Sequence, residues 1–329
     1  PEDTGEPDSE ESVLKLRHTL KGHEGQVLCA RFGPDRRVAT GGRDKTIAIW
    51  RGNKPERVLE GHERAVTALA FTPNEELLSG DAGGALKLWS WPRGKLLLEL
   101  EGHAGTVYTL GTSVDGALLA SGGKDETICV WSRETGELLH RLDVGPLGAS
   151  FVFSADGEYL VSGHGGDTLR FWSLATGELA WEQEAGPGTV GAFELDASRQ
   201  WVVSRGWRGP ITIWSTSEWG YAAVLPIIEK GLAGAMLRPG HEQVVCVYEG
   251  GIGLYDATDG RALDRFEIPC KGVFDLDVSA DGEFAVTASA DELGRVFEFG
   301  ALPERGPDDE DAEDVEDADD QDEDEDDDE

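Results

Sequence analysis

An all-β fold assembled from seven copies of one short unit is what this sequence predicts, and three observations carry that reading. Gly22-His23, Gly61-His62 and Gly102-His103 each precede a tryptophan, at Trp50, Trp89 and Trp131, the indole coming 27 or 28 positions after the histidine. The closing aromatics continue through Trp172, Trp214, Tyr255 and Phe297 at intervals of 39 to 42 residues, so seven units cover nearly all of the chain outside its acidic ends. No stretch spaces its apolar residues with a helical period; the apolar runs are short and bounded by Asp, Gly, Asn and Pro.

The first unit shows the elements in order. Val27 to Phe32 is a half-apolar strand, Pro34-Asp35 a turn, Val38-Ala39-Thr40 a second strand of small residues, Arg43-Asp44-Lys45 another turn, and Thr46 to Trp50 a third strand closing on the aromatic. Turn residues of this kind accept the backbone angles that tight hairpins demand. Val13 to Leu20 reads as one further strand ahead of the first Gly-His pair, whereas the last unit stops at Phe299 with no strand after it.

These residues resemble the WD-repeat family, whose signature joins Gly-His to Trp-Asp over about 40 residues and four strands per propeller blade. The resemblance runs over roughly residues 13–299 and is strongest in the first three units. It departs from the family pattern after the aromatic, where Arg51, Ser90, Ser132, Ser173 and Ser215 stand for the acid and only Asp256 and Glu298 retain one; units four to seven also lack Gly-His at the start of the unit. The implied fold is a seven-bladed WD-repeat β-propeller over residues 13–300, closed by the N-terminal strand pairing into the last blade. A repeat array builds one continuous ring, so 329 residues need not mean two domains.

Charge is very unevenly placed. From Asp308 to Glu329, 18 of 22 residues are acidic, and Pro1 to Ser12 adds six acids, with no Lys or Arg in either segment. The remainder holds 41 acids against 29 bases, a net charge of −12. Residues 1–12 and the tail 301–329 are expected to be disordered, because like charges this dense oppose collapse. The tail solubilises, or captures a basic partner. It lacks the glycine of an EF-hand loop and would repel duplex nucleic acid, so no direct nucleic-acid binding is expected. Cys29, Cys129, Cys246 and Cys270 have no metal-ligand spacing and read as buried free thiols in a reduced, cytoplasmic protein, with a Cys246–Cys270 disulfide as the alternative. No stretch has the apolar length of a membrane span.

A recurring set of polar residues invites a catalytic reading. His23, Thr40, Asp44 and Trp50 in unit one return at nearly the same offsets as His103, Ser121, Asp125 and Trp131 in unit three. A Ser-His-Asp arrangement could activate a nucleophile, but a catalytic site needs one such set beside a cleft, and here the set repeats. The resemblance implies a buried structural network within each blade. Unit two keeps His62, Ser79 and Trp89 but places Gly83 where the acid is expected; unit seven keeps Thr287 and Asp291 with Pro269 in the histidine position. Units four to six are expected to rely on apolar packing. Gly163 to Asp167 offers His164 and Asp167 as a ligand pair, or simply a glycine-rich turn. No phosphate loop and no paired histidines at metal spacing are present, so neither enzyme activity nor a cofactor is expected.

What the resemblance implies is a binding surface on the narrow face around the central channel, at the residues flanking the first Val of each unit and the residue before the turn Asp. Carried onto this chain, those positions bring together Tyr108, Trp207, Tyr248 and Phe274 with Arg43, Lys124 and Arg208. Aromatic and Arg side chains are enriched in interface hot spots, and the cations suit an acidic or phosphorylated peptide. The expected function is a non-enzymatic protein-interaction scaffold; the alternative is a chaperone for a basic client, such as a histone-like, ribosomal or nucleic-acid-binding protein, acting through the acidic tail.

Overall fold

The computed structural model describes residues 12–301, apart from 147–149, 165–166, 186–191, 196–199, 206–209, 228 and 271. The acidic segments 1–11 and 302–329 lie outside the described residues. No helix occurs among the described residues, and the strands form seven antiparallel sheets of four. Strand β1 (Leu14–Lys21) stands apart in sequence from its sheet. Blade one follows with β2 (Val27–Phe32), β3 (Val38–Gly42), β4 (Ile47–Arg51) and β5 (Lys54–Leu59), and blade two with β6 (Val66–Phe71), β7 (Glu76–Asp81), β8 (Ala85–Ser90) and β9 (Leu96–Glu101). Blade three holds β10 (Val107–Thr112), β11 (Leu118–Gly123), β12 (Thr127–Ser132) and β13 (Leu138–Asp143). Blade four holds β14 (Phe151–Phe153), β15 (Tyr159–His164), β16 (Thr168–Ser173) and β17 (Leu179–Glu184). Blade five is β18 (Ala192–Leu195), β19 (Trp201–Arg205), β20 (Ile211–Ser215) and β21 (Tyr221–Leu225), and blade six β22 (Gly234–Leu237), β23 (Gln243–Tyr248), β24 (Gly251–Asp256) and β25 (Ala262–Glu267). Blade seven has three strands of its own, β26 (Val273–Val278), β27 (Phe284–Ser289) and β28 (Leu293–Phe299), and β1 completes it in the order β1-β28-β27-β26.

Burial grades outward along each blade as its composition requires. The second strands, built from small and apolar residues, are wholly or almost wholly buried, while outer strands such as β5 and β17 are mostly exposed. The apolar cores lie between blades. Trp50 packs with Val286 and Ala288 of blade seven, Trp89 with Cys29 and Ala39 of blade one, and Trp131 with Ala68 and Leu78 of blade two. The pattern continues through Phe297, which packs against Val245 and Ile252 of blade six. Each closing aromatic is thus a wedge driven against the preceding blade, and no blade buries its apolar face alone.

Closure falls on β1. Leu14 pairs with Phe299 and Lys21 with Leu293, and Leu20 inserts among Val27, Trp50, Val286 and Val296, so one side chain joins the first and last blades. The start of the strand is also tied to blade six, where Asp264 Oδ2 accepts from the Leu14 amide at 2.7 Å and the Ser12 hydroxyl at 3.0 Å. All four cysteines are free thiols; Cys29, Cys129 and Cys246 are buried and Cys270 is partly buried. Burial pushes the thiols of Cys29, Cys129 and Cys246 above their ordinary range, which makes them unreactive apolar side chains.

Because Leu20 is fully buried at the seam, Leu20→Ala is expected to destabilise the protein by about 2–5 kcal/mol. Leu16→Ala, on the same strand but 40% exposed, is expected to cost less than about 1 kcal/mol. Urea denaturation of the two variants checks both values.

Candidate functional site

The polar set of the first three blades is a closed hydrogen-bond chain. In blade one, His23 Nδ1 lies 2.8 Å from Asp44 Oδ2, Nε2 lies 2.8 Å from Thr40 Oγ1, and the Trp50 indole N–H donates to the same hydroxyl at 2.8 Å. The indole can only donate, so the hydroxyl accepts from it and gives its own proton to Nε2, which leaves the Nδ1 proton for the carboxylate. Burial alone would raise the Asp44 carboxyl, but the Glu24 amide and His23 hold it below its usual range. Blade three repeats the chain through Asp125, His103, Ser121 and Trp131. The hydroxyl groups of Thr40, Ser79 and Ser121 are fully buried, and each sits locked between an indole and an imidazole, where no substrate can approach a nucleophile.

Blade two corrects the sequence reading. The acid expected at Gly83 stands two residues earlier: Asp81 Oδ2 meets His62 Nδ1 at 2.9 Å, while Oδ1 accepts from the amides of Gly83 and Ala85. Blades one and three explain the exchange. They have Gly42 and Gly123 at the position of Asp81, where an added Cβ would come within 2.5 Å of the histidine Nδ1. Blade two fills that space with the carboxylate itself and vacates the other position with glycine. Burial lowers the pKa of His62 against the opposing pull of Asp81, which favours the neutral imidazole.

Blades four and five also keep more than apolar packing. Trp172 donates to Ser162 at 2.9 Å and Trp214 to Ser204 at 2.8 Å, so the indole–hydroxyl bond persists without the histidine. In blade six Cys246 takes the hydroxyl position, and the Tyr255 hydroxyl donates instead to Glu229 at 2.7 Å. In blade seven Phe297 has no N–H to offer, the Thr287 hydroxyl has no hydrogen-bond partner among the described residues, and Asp291 binds Arg295 at 2.5 Å rather than a histidine. Of the glycine-rich segment 163–167, His164 Nδ1 faces the Val144 carbonyl at 3.2 Å and Asp167 donates its amide to His164.

The central channel encloses about 1680 Å³, and Leu28, Thr67, Tyr108, Lys124, Gly231, Ala233 and Phe274 are among its lining residues. In blades one, two, three and seven the innermost strand shifts register immediately after its first Val, leaving Leu28, Thr67, Tyr108 and Phe274 as the unpaired residues of a β-bulge. A bulge re-aims the extra side chain. That geometry accounts for the exposure of two large aromatics, Tyr108 at 55% and Phe274 at 40%. The turn residues sit beside them through a repeated bond: the amides of Arg43, Ala82, Lys124 and Ala290 donate to the carbonyls of Gln26, Ala65, Thr106 and Gly272. Arg43 and Lys124 are exposed.

In blade six the structural counterpart of Arg43 is Glu249, whose amide donates to Lys230, and not Tyr248. The two-residue hairpin Glu249-Gly250 shortens this unit, with Gly250 at φ 90°, and Tyr248 packs half-buried over Gly251. Trp207 and Arg208 lie outside the described residues.

Deeper in the channel lies an ionic cluster that sequence reasoning missed. Asp275 Oδ2 accepts from Arg31 Nη1 at 2.5 Å and from the Ala30 amide at 3.0 Å, and Asp277 Oδ2 accepts from the Phe32 amide at 2.7 Å, so β26 is bonded to β2 across the seam. Glu194 and Arg205 of blade five extend the cluster, with Arg205 donating to the Leu232 carbonyl at 3.1 Å. Burial pushes the Glu194 carboxyl up to about 7 and that of Asp277 to about 6. Burial opposes the charge on Arg31 as well, yet Asp275, Asp277 and Glu194 raise its pKa and keep it charged. The readable signal was the polar alternation Asp275-x-Asp277 on an inner strand, a place where most units put small or apolar residues.

Two outcomes follow from this geometry. Asp81→Gly is expected to cost about 1–3 kcal/mol by leaving His62 without its carboxylate, and adding Gly83→Asp is expected to recover most of it; thermal melts of single and double variants check the rescue. Glu194 binds a proton more tightly when folded than at its ordinary value of 4.5, so its contribution is fully present below that value and is lost as pH rises through about 7. Glu194→Gln is therefore expected to gain about 1–3 kcal/mol on the wild type at pH 8 relative to pH 5, measured by urea denaturation at both.

Comparison with known proteins places these features. Residues 14–51, 53–90 and 94–132 match the family described as WD domain, G-beta repeat, which covers strands β1 to β12. Residues 124–269 match a model described as outer membrane protein assembly factor BamB. The small ribosomal subunit protein RACK1y of Oryza sativa subsp. japonica is 30% identical over 137 residues, 41% of this chain and 29% of that protein. Small ribosomal subunit protein RACK1 of Medicago sativa is 45% identical over 60 residues, 18% of each chain. Protein HIR1 of Cryptococcus neoformans var. neoformans serotype D (strain JEC21) is 31% identical over 140 residues, 42% of this chain and 13% of that protein. The matched region thus spans less than a third of each of these relatives. With three successive WD repeats set in a ring of seven four-stranded blades, the fold is that of a seven-bladed WD-repeat β-propeller.

Proposed function

We propose that this chain is a cytoplasmic, non-enzymatic scaffold that binds a protein segment at the mouth of its central channel. One observation carries the reading: the bulged inner strands present Tyr108 and Phe274 to solvent beside the same channel that Lys124 lines. Exposed aromatics on a rigid frame lose little side-chain entropy on binding, and hot spots draw on this residue type. Arg43 and Lys124 at the turn positions add positive charge for the carboxylates or phosphates of a partner segment. Trp207 and Arg208 join the proposed surface by their place in the repeat.

The test begins with capture of partners on the full chain. Tyr108→Ala and Phe274→Ala are each expected to weaken the principal partner about tenfold or more with unchanged melting, whereas Leu97→Ala on the outer strand β9 is expected to leave it unaffected. Wild-type affinity in both aromatic variants refutes the channel-mouth reading. The 18 acids within residues 308–329 favour a second reading, a chaperone for a basic client. Removing that segment abolishes client binding on the second reading and spares it on the first.

A further inference from the structure

The outer edge of the ring carries charge of opposite sign on different blades. Strands β9 and β17 hold Glu99, Glu101, Glu182 and Glu184 and no base. By contrast β1, β5 and the end of β4 hold Lys15, Arg17, Lys21, Arg51, Lys54 and Arg57 against the single acid Glu56. All six cations are exposed. Arg17 pairs with Glu298 at 2.6 Å and Glu56 is engaged by Arg37, while Lys15, Lys21, Arg51, Lys54 and Arg57 make no ion pair among the described residues. The β4–β5 turn reaches β1, since Gly52 lies against His18 of β1, with 3.7 Å between the Cβ it would bear and the imidazole Nε2. A basic stretch of rim on two neighbouring blades therefore interrupts a ring whose net charge is −12 outside the acidic ends.

Three features of the rim select the kind of ligand. Its unpaired cations attract an anion. Strands β1 and β5 each pair on one side only, with β28 and β4, so their outer edges offer main-chain N–H and C=O groups that an extended polypeptide can pair with and a nucleic acid cannot. Leu16 and Val58, 40% and 52% exposed, stand among the cations and offer apolar contact. We propose that the rim formed by β1 and β5 docks an acidic, extended segment of a partner protein in which carboxylates alternate with apolar side chains. Strand β1 is eight residues long, so the segment it accepts is about as long, roughly 27 Å. The chain's own run 308–329 supplies carboxylates but, beyond Val315 and two alanines, none of the apolar residues this surface would meet. The surface is separate from the channel mouth and stands whether or not that reading holds.

The experiment uses the full chain and fluorescence anisotropy with a synthetic peptide of alternating Glu and Leu, its Gln counterpart, and a single-stranded oligonucleotide of equal charge. Binding of the Glu peptide that weakens as salt rises is expected, with the double variant Lys15→Glu/Arg57→Glu losing at least about tenfold in affinity. Leu16→Ser/Val58→Ser, a surface change with unchanged melting, is expected to lose about threefold or more. Failure of the Glu peptide to bind, equal binding of the Gln peptide, or wild-type affinity in the charge-reversed variant overturns the proposal. So does an oligonucleotide that binds more tightly than the peptide, because the rim would then be reading polyanion charge alone.

Discussion

Everything in this molecule depends on an apolar face that no blade can cover by itself. Each blade presents its closing aromatic to the blade before it, and the first blade has no predecessor in sequence. Only a ring removes that asymmetry, and β1, from the other end of the chain, completes the last blade and joins it to the first. Leu20 shows the cost of failure, since it contacts the aromatic wedge of blade one and the apolar residues of blade seven at once. The same seam is bonded a second time at the channel, where Asp275 and Asp277 accept backbone amides of β2. Carboxylates buried in this way are costly unless their acceptors are filled, and here the Arg31 guanidinium and two amides fill them.

Within that ring the polar chain of the early blades is best understood as a way to bury an indole N–H. The bond from the aromatic to a hydroxyl on the second strand recurs in five blades, through Thr40, Ser79, Ser121, Ser162 and Ser204. The histidine and acid occur in three of these and extend the chain to the turn. Where the N–H disappears at Phe297, the hydroxyl of Thr287 loses its donor and the turn acid turns to Arg295. Degeneracy of the repeat therefore follows a physical order: the apolar wedge persists throughout, the indole–hydroxyl bond next, and the histidine bridge least.

The architecture was legible because its signal is periodic. Spacing of the aromatics located every blade, and the unmatched strands at the two ends of the chain pointed to closure. The individual sites were less legible, for reasons that can be named. Asp81 escaped because the offset pattern assumes one backbone position for the acid, whereas a carboxylate two residues earlier reaches the same imidazole once glycine yields the space. Glu249 escaped because a two-residue hairpin shortened blade six by one position. The channel cluster joins residues from blades one, five and seven, and no local pattern reports that Arg31 and Glu194 face a common space.

The bulges connect fold to binding more directly than the aromatics themselves do. A regular inner strand would send its second residue toward the neighbouring blade or into the channel wall, in step with the ladder. By inserting one extra residue after the first Val, blades one, two, three and seven free a side chain from that alternation, and the repeated bond from the turn to the preceding loop fixes a second position beside it. What stands at those positions is released from the ladder to different degrees: Tyr108 and Phe274 are exposed, Leu28 is half-buried, and the half-buried Thr67 bonds the Val107 carbonyl at 2.6 Å. Leu28 and Thr67 occupy two of them and Tyr108 and Phe274 the others, so one backbone device delivers different chemistry around a single mouth. On the proposed reading, identity at the bulge is where this ring acquires specificity without disturbing the wedges that close it.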